Sequence, residues 1–203
     1  MHWDRLFEDL EGQLASEWEA ERAMLDAESE RLRISRLDLR MRLRMLVDAG
    51  SDATIDLLHG PRLPVTLQTL GADWLAVSSR GTGDARTAMS SLILPLHAIA
   101  GISTDHGMIL ASLDEPTAAD PSLRERMTIG FVLRDLARRR IPVQVTTRPG
   151  DDLHGTIDRA AADHLDLALH DPGEARLAGA VRGFRMVPFS AIVAVRTSGD
   201  QMP

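Results

Sequence analysis

Residues 65–77 read VTLQTLGADWLAV, and residues 155–167 read GTIDRAAADHLDL. The two stretches align without a gap at an offset of 90 residues. In each, apolar residues alternate with polar ones, an Ala-Asp pair follows, and a second alternating run begins. This pattern predicts two half-buried β-strands joined by a tight turn. The ordered match indicates that the chain contains an internal repeat.

The repeat extends in both directions from these stretches. Upstream, residues 41–46 lie over residues 131–136, and both segments are apolar at helical spacing. Downstream, the second copy gains three residues, and ILPLHAI at 93–99 then lies over MVPFSAI at 186–192. Each copy is therefore predicted to be one helix followed by five short strands. The helix of the second copy is predicted over residues 123–139.

The N-terminal arm has the composition of a long helix. From Gln13 to Asp48 it contains no Gly and no Pro and is rich in strong helix formers. The sequence predicts one continuous helix there, roughly 54 Å long at about 1.5 Å per residue. A seven-residue interval, typical of one row of a coiled-coil seam, separates Trp18, Leu25, Leu32, Leu39 and Leu46.

Charge is distributed in blocks along a chain whose formal net charge is −7. Residues 1–30 hold ten acids and two Arg, whereas residues 31–48 hold six Arg and two Asp. Residues 121–149 hold seven Arg and two acids. Together with the repeat, these blocks predict four segments. They are a helical or coiled-coil arm (1–48), a first barrel (49–104), an acidic linker (105–120) and a helix plus second barrel (121–203).

The line from Gly155 to Leu167 resembles the first motif of Sm proteins, with a strand glycine, alternating apolar residues and an acid at the turn. A helix followed by five short, bent strands is similar to the Sm-like small β-barrel of Sm, LSm and Hfq proteins. The glycine fits this resemblance because a small barrel needs a strand residue without a side chain where it bends. The first copy has Val65 at that position.

The resemblance covers about residues 34–104 and 124–197. It implies an α+β fold, in which a long N-terminal helix precedes two helix-plus-five-strand, Sm-like or SH3-like small barrels related by the repeat. RNA-binding Sm proteins use an Asn and an Arg-Gly pair, but this chain has no Asn, and only its second copy has Arg182-Gly183. The resemblance therefore implies a fold and no RNA-binding residue. The layout also resembles that of actinobacterial proteins, which implies no activity.

Composition excludes several kinds of chemistry. The chain has no Cys, so it has no disulfide, thiolate metal site or Cys nucleophile. It also lacks the glycine-rich phosphate loops, the zinc-protease motif and the serine-hydrolase elbow. His154, His164 and His170 lie on or next to predicted strands, whose alternation argues against the three or four convergent ligands of a metal site. We therefore predict no enzyme, no cofactor and no metal.

The sequence also bears on location. No apolar run reaches the roughly 18 residues that span a bilayer. The first ten residues, MHWDRLFEDL, lack the basic and then apolar layout of a signal peptide. We expect a cytoplasmic protein with no membrane partner.

Two functions remain open. The first is a non-enzymatic assembly or adaptor protein, forming a homo-oligomer through its arm or its barrel edges, or binding a protein partner. Its predicted partner-binding residues are Trp3, Trp18, Leu25 and Leu32, because an exposed Trp is costly unless covered. The alternative is an RNA- or DNA-binding regulator whose arginines contact phosphate. Its candidates are Arg36, Arg40, Arg44, Arg134, Arg138, Arg139, Arg140 and Arg148.

Overall fold

The structure is a computed structural model that describes residues 2–58, 60, 62–80, 89–114, 122–174 and 176–197. Its helices are α1 (His2–Ser35), α2 (Leu39–Asp48), α3 (His106–Ala111), α4 (Leu123–Arg126) and α5 (Ile129–Arg138). Five strands come before the centre of the chain: β1 (Asp52–Leu57), β2 (Arg62–Leu70), β3 (Trp74–Arg80), β4 (Met89–Pro95) and β5 (Ile99–Ser103). Five come after it: β6 (Pro142–Thr147), β7 (Asp152–Ala160), β8 (His164–Leu169), β9 (Gly183–Pro188) and β10 (Ile192–Thr197).

The chain divides into two compact units, residues 1–42 and residues 43–203. The predicted unbroken helix from Gln13 to Asp48 is wrong at residues 36–38, which separate α1 from α2. There the Asp38 carboxylate accepts a hydrogen bond from the Met41 amide at 2.7 Å and caps the new helix. Asp is a weak residue inside a helix and a strong one at its N-terminus, so the helix breaks without Gly or Pro.

The ten strands of the second unit form one antiparallel sheet. Their order is β5-β1-β2-β3-β4-β10-β6-β7-β8-β9. The predicted α+β class with an N-terminal helix is therefore confirmed. Two separate closed barrels are not shown, because β4 pairs with β10 and the sheet continues from one copy of the repeat into the other. Among the described strands, β5 and β9 lie at the two ends of the sheet.

The two copies, which we call the first half (residues 43–103) and the second half (residues 129–197), have the same strand register. The β1–β2 pair places Ala53 opposite Val65, and the β6–β7 pair places Val143 opposite Gly155. The β2–β3 and β7–β8 pairs also carry equivalent bulges, and each bulge begins two residues after Val65 or Gly155. The residues paired in these strands are shifted by 90 residues between the halves, so the two halves repeat the same strand arrangement.

Helices α2 and α5, which occupy equivalent positions in the repeat, also end in the same way. α2 and α5 have equivalent bounds, and each is followed by a residue of positive φ, Gly50 at 58° and Arg140 at 55°. At the end of each helix, the residue that follows this one donates its amide hydrogen to the carbonyl oxygen five residues before it, at 3.1 Å. This is the usual left-handed helix end, where Gly is favoured and Arg is strained.

The cores of the two halves are not separate. Trp74, Ala76 and Ile93 of the first half are buried in the core of the second half. In return, Ala194 of β10 is buried in the core of the first half. Each half therefore buries apolar surface that the other would leave in water, and the two stabilise each other.

The helix predicted over residues 123–139 is interrupted between α4 and α5. The carbonyl of Met127 accepts hydrogen bonds from the Trp74 indole at 2.8 Å and from the Ala72 amide at 2.9 Å. The Asp73 carboxylate accepts a further bond from the Ile129 amide at 2.6 Å and so caps α5. The β2–β3 turn thus holds this segment in an extended conformation, which a continuous helix could not adopt.

Two glycines are required by close approach. A Cβ at Gly155 would lie 2.2 Å from the carbonyl oxygen of Ala168 on the neighbouring strand. A Cβ at Gly71 would lie 2.0 Å from Nε1 of Trp74. Gly155 therefore allows tight packing of β7 on β8, and Gly71 makes room for the indole.

Candidate interaction surfaces

Helix α1 presents a row of large apolar side chains to solvent. Trp18 is 64% exposed, and Leu25 and Leu32 are also exposed at intervals of seven residues. Leu14, one turn before Trp18, extends the row. Large apolar side chains that recur on one exposed helix face indicate a protein contact more strongly than a single exposed residue does. Three of the predicted partner-binding residues therefore share one helix face.

The remaining residues of the predicted seam fall elsewhere. Trp3 is in α1, but its side chain lies outside the described residues. Leu39 begins α2 and is exposed, whereas Leu46 is buried in the core of the first half. The helix break at residues 36–38 therefore limits the exposed row to α1.

The predicted arginine face at residues 36, 40 and 44 is not one helix face. Arg36 lies in the break between the helices, and Arg40 lies in α2. Within the second unit, Nε of Arg44 lies 3.2 Å from Oε2 of Glu125 in α4, and both side chains are mostly buried. Arg44 therefore ties α2 to α4, so its guanidinium is already engaged by a carboxylate.

Most predicted arginines on and after α5 also have partners within the fold. Arg138 and Arg139 contact the Asp135 carboxylate at 2.7 and 3.4 Å. The hydrogen bond from Arg138 is the main reason that the pKa of Asp135 is lowered. Arg134 donates to the Ala161 carbonyl at 3.2 Å. Arg148 is exposed in the turn after β6.

Arg140 belongs to a charged cluster that the sequence does not predict. Its Nη1 lies 2.9 Å from Oδ1 of Asp158, and Arg176 binds both oxygens of the same carboxylate at 2.5 Å. The hydrogen bond from Arg176 is the main cause that lowers the pKa of Asp158, and the nearby charges of both arginines lower it further. Arg176 lies in an irregular loop 18 residues from Asp158, so no local pattern indicates the pair.

His154, His164 and His170, which the sequence places on or next to strands, do not converge on one point. The rings of His154 and His170 meet edge to face, with centroids 5.3 Å apart. His170 is buried, and its Nε2 lies 2.9 Å from the Thr156 hydroxyl. His164 instead pairs with Asp163 at 2.8 Å. Among the residues that the structure describes, no group of three or more His, Asp or Glu side chains is placed to hold a metal.

A second apolar surface lies on the end strand β9, and we did not predict it. Phe184 and Met186 are 67% and 74% exposed and alternate along one face of the strand. Leu177, in the loop before the strand, is exposed as well. The sequence carries no signal for this exposure, because Met186 aligns with Ile93, which is buried in the core.

Comparison with family models, with curated proteins and with solved structures finds no match to this chain. No described helix combines the length and the apolar composition needed to cross a bilayer. The proposed function therefore rests on the exposed surfaces described above.

Proposed function

We propose that this chain is a non-enzymatic assembly protein whose helix α1 pairs with α1 of a second copy. The observation that carries the proposal is the exposed row Leu14, Trp18, Leu25 and Leu32. Burying one large apolar side chain contributes about 1.5–3 kcal/mol, so covering three or four of them on each of two helices favours association. Trp is also among the residues that most often dominate such contacts.

Charge favours an antiparallel pair. In a parallel pair, the strongly acidic residues 1–30 of the two copies would lie side by side. In an antiparallel pair centred on Leu25, Trp18 lies beside Leu32 of the second copy. Glu19 then lies level with Arg31 of the second copy, and Glu28 with its Arg22. The apolar contacts and the opposite charges therefore both favour the antiparallel arrangement.

We further propose that each half of the second unit is an Sm-like unit and that the protein works in the cytoplasm. In support, the order within the first half is fifth, first, second, third, fourth strand, and the second half repeats it. A short 3₁₀ turn joins the fourth and fifth strands in both halves, at Leu96–Ala98 and Phe189–Ala191. These features agree with the expected pattern, although the sheet is continuous.

Nucleic-acid binding, the alternative, has less support. Among the eight candidate arginines, Arg44, Arg138, Arg139 and Arg140 each contact a carboxylate. A guanidinium already bound by a carboxylate must give up that contact before it can bind a phosphate. These arginine–carboxylate contacts therefore favour protein association over nucleic-acid binding.

The test is the mass of the full chain in solution, measured by light scattering after gel filtration. Leu25→Glu places a charge at the centre of the row, and we expect it to halve the mass of the wild-type assembly. Ala27→Glu adds the same charge to an exposed position about 200° further round the helix. We expect this matched control to keep the wild-type mass.

A wild-type chain that stays monomeric up to high concentration would refute the helix pairing. The same would follow if Leu25→Glu and Ala27→Glu behaved alike. A monomer that instead forms a salt-sensitive complex with short RNA or DNA would support the alternative.

A further inference from the structure

The first half of the second unit binds a short stretch of the chain that leads into the second half. This stretch, residues 125–129, runs from the end of α4 to the start of α5, and we call it the docked segment. Nε of Arg44 lies 3.2 Å from Oε2 of Glu125, and Nη2 lies 3.3 Å from Oε1. Both side chains are mostly buried. The guanidinium therefore binds both oxygens of one carboxylate, the paired geometry for which arginine is suited.

The turn between β2 and β3 binds the rest of the docked segment. The Ala72 amide donates to the Met127 carbonyl at 2.9 Å. The Asp73 carboxylate accepts from the Ile129 amide at 2.6 Å, so it caps the start of α5 from outside the helix. A guanidinium, a backbone amide and a carboxylate of the first half therefore bind one glutamate, one carbonyl and one helix start.

The second half carries the same three groups. Arg134, Ala162 and Asp163 each lie 90 residues after their first-half counterpart, and each is the same residue type as that counterpart. The β7–β8 turn also closes like the β2–β3 turn. Its Ala161 amide donates to the His164 carbonyl at 2.8 Å, and the equivalent bond of the first half is 2.8 Å as well. The second half therefore presents the same polar groups on a turn with the same backbone bond.

These groups are open to solvent in the second half. Among the described residues, no carboxylate contacts the exposed Arg134, which uses one N–H to reach the Ala161 carbonyl at 3.2 Å. The exposed Ala162 amide has no acceptor in the described part of the chain. The Asp163 side chain is 89% exposed and accepts a bond from the neighbouring His164 ring. The groups that bind the docked segment in the first half are therefore available to another segment in the second.

The surface beside the turn is polar in the second half. In the first half, Trp74 and Ala76 are buried against an apolar core that includes α5. Their equivalents are His164 and Asp166. Packing the apolar face of a helix against these two residues would remove polar groups from water at a cost. The second half therefore suits a short segment bound through polar contacts better than a whole apolar helix face.

The equivalent segment of a second copy lacks the required charge. Residues 35–39 lie 90 residues before the docked segment, and Ser35 stands where that segment has Glu125. A serine hydroxyl cannot make the two-oxygen contact that a carboxylate makes with a guanidinium. The charge of Arg134 therefore favours a partner other than a second copy of this chain.

We propose that Arg134 and the β7–β8 turn form a docking site for a partner protein that presents a segment like residues 125–129. The partner supplies a glutamate for the Arg134 guanidinium, a carbonyl two residues later for the Ala162 amide, and then a helix start that the Asp163 carboxylate caps. Phe131 is 51% exposed and lies three residues before Arg134 on the same face of α5, so it adds an apolar contact. The site includes no residue of α1 and is independent of the proposed helix pairing.

The probe is a synthetic peptide with the sequence of residues 122–131, SLRERMTIGF. Its ends are acetylated and amidated to remove the terminal charges. The peptide is titrated into the isotope-labelled full chain, and the backbone amides are followed by NMR. We expect a saturable shift of the Ala162 amide. The Ala72 amide is the internal control and should not shift, because it already binds the Met127 carbonyl within the chain.

Charge variants test the ion pair. Arg134→Gln should weaken peptide binding about tenfold, because a hydrogen-bonded charge pair is lost. Arg148→Gln removes an exposed arginine elsewhere in the second half and should leave the affinity unchanged. Arg134→Glu in the chain and Glu125→Arg in the peptide should each weaken binding, and the two changes together should restore it. Restored binding also shows that the Arg134→Glu chain is folded.

Three results would overturn the proposal. One is the absence of a saturable shift at Ala162. Another is an equal loss of affinity from Arg134→Gln and Arg148→Gln, since this indicates a general attraction to arginine. The third is a peptide with the sequence of residues 32–41, LRISRLDLRM, that binds as tightly as the probe. That result would assign the site to a second copy of this chain.

Discussion

The first and second halves share one backbone path but differ in the residues that hold it. At the second turn, the first half has Trp74, which is buried in the core of the second half, and the second half has His164, which is partly exposed. On the second strand, the first half has Val65 and the second half has Gly155 at the equivalent position. The repeat therefore conserves strand register, while the surroundings of each position determine its side chain.

Two members of the charged cluster of the second half, Asp158 and Arg140, are replaced by uncharged residues in the first half. Gln68 occupies the position equivalent to Asp158, and Gly50 occupies the position equivalent to Arg140. The second half adds the Arg140–Asp158–Arg176 cluster to the shared framework. Substitutions that exchange equivalent residues test this difference.

The largest effect is expected for Trp74→His, which places the second-half residue in the first half. The change empties a buried site and removes the hydrogen bond to the Met127 carbonyl. We expect the free energy of unfolding to fall by about 3–5 kcal/mol, the range for truncating a buried aromatic residue. Urea unfolding followed by circular dichroism measures the change.

The neighbour of the indole provides a control. Gly71→Ala should destabilise the wild type because its Cβ meets the Trp74 ring, but it should cost much less when combined with Trp74→His in a double variant. Equal costs in the two backgrounds would show that the indole does not determine Gly71. His164→Ala, at the exposed equivalent position, should change stability by less than about 0.5 kcal/mol.

A smaller loss is expected for Gly155→Val, which places the first-half residue in the second half. The new Cβ would collide with the Ala168 carbonyl, a backbone atom that cannot turn aside. Overpacking of this kind costs about 1–3 kcal/mol, measured as a lower urea midpoint. Gly183→Ala, in β9, has open space around its Cβ and should have little effect. Similar losses at both positions would contradict the close-approach argument.

The smallest change is expected for Asp158→Gln, which gives the second half the neutral residue of the first. Hydrogen bonds to a charged group are worth about 1.5–3 kcal/mol, and the partial exposure of Arg140 and Arg176 reduces this to about 1 kcal/mol at neutral pH. Because the folded pKa of Asp158 lies below its usual value, its contribution is present above about pH 4.

That contribution is lost as the pH falls below about 4 toward the lowered pKa. Between about pH 5 and pH 3, the wild type should therefore lose more stability than Asp158→Gln. Parallel acid dependences of the two proteins in urea unfolding would show that the cluster does not stabilise the fold.

The local elements of this fold can be predicted from the sequence, but the strand pairing between its two halves cannot. The 90-residue offset predicts the equivalence of α2 with α5 and of β1 with β6, because both depend on apolar spacing within a few residues. The pairing of β4 with β10 joins Ile93 to Val195 across about 100 residues of chain. No spacing within one copy distinguishes that pairing from closure of each copy on itself.

The candidate surfaces show the same limit. The seven-residue row on α1 is predictable because periodicity alone places its side chains on one face. The break at Asp38 is not, since it depends on a single side-chain cap in a segment of good helix formers. The exposure of Met186 could not be predicted either, because it follows from β9 being the last strand of the sheet.

The β4–β10 junction also sets the order in which the chain can mature on the ribosome. β4 emerges about 100 residues before β10, an interval of roughly 5–20 s at about 5–20 residues per second. During that time the nascent first half has an incomplete sheet and an uncovered Ile93. Until Met127 has emerged, the Trp74 indole also lacks its hydrogen-bond acceptor. The first half therefore cannot complete its sheet and core until β10 has emerged.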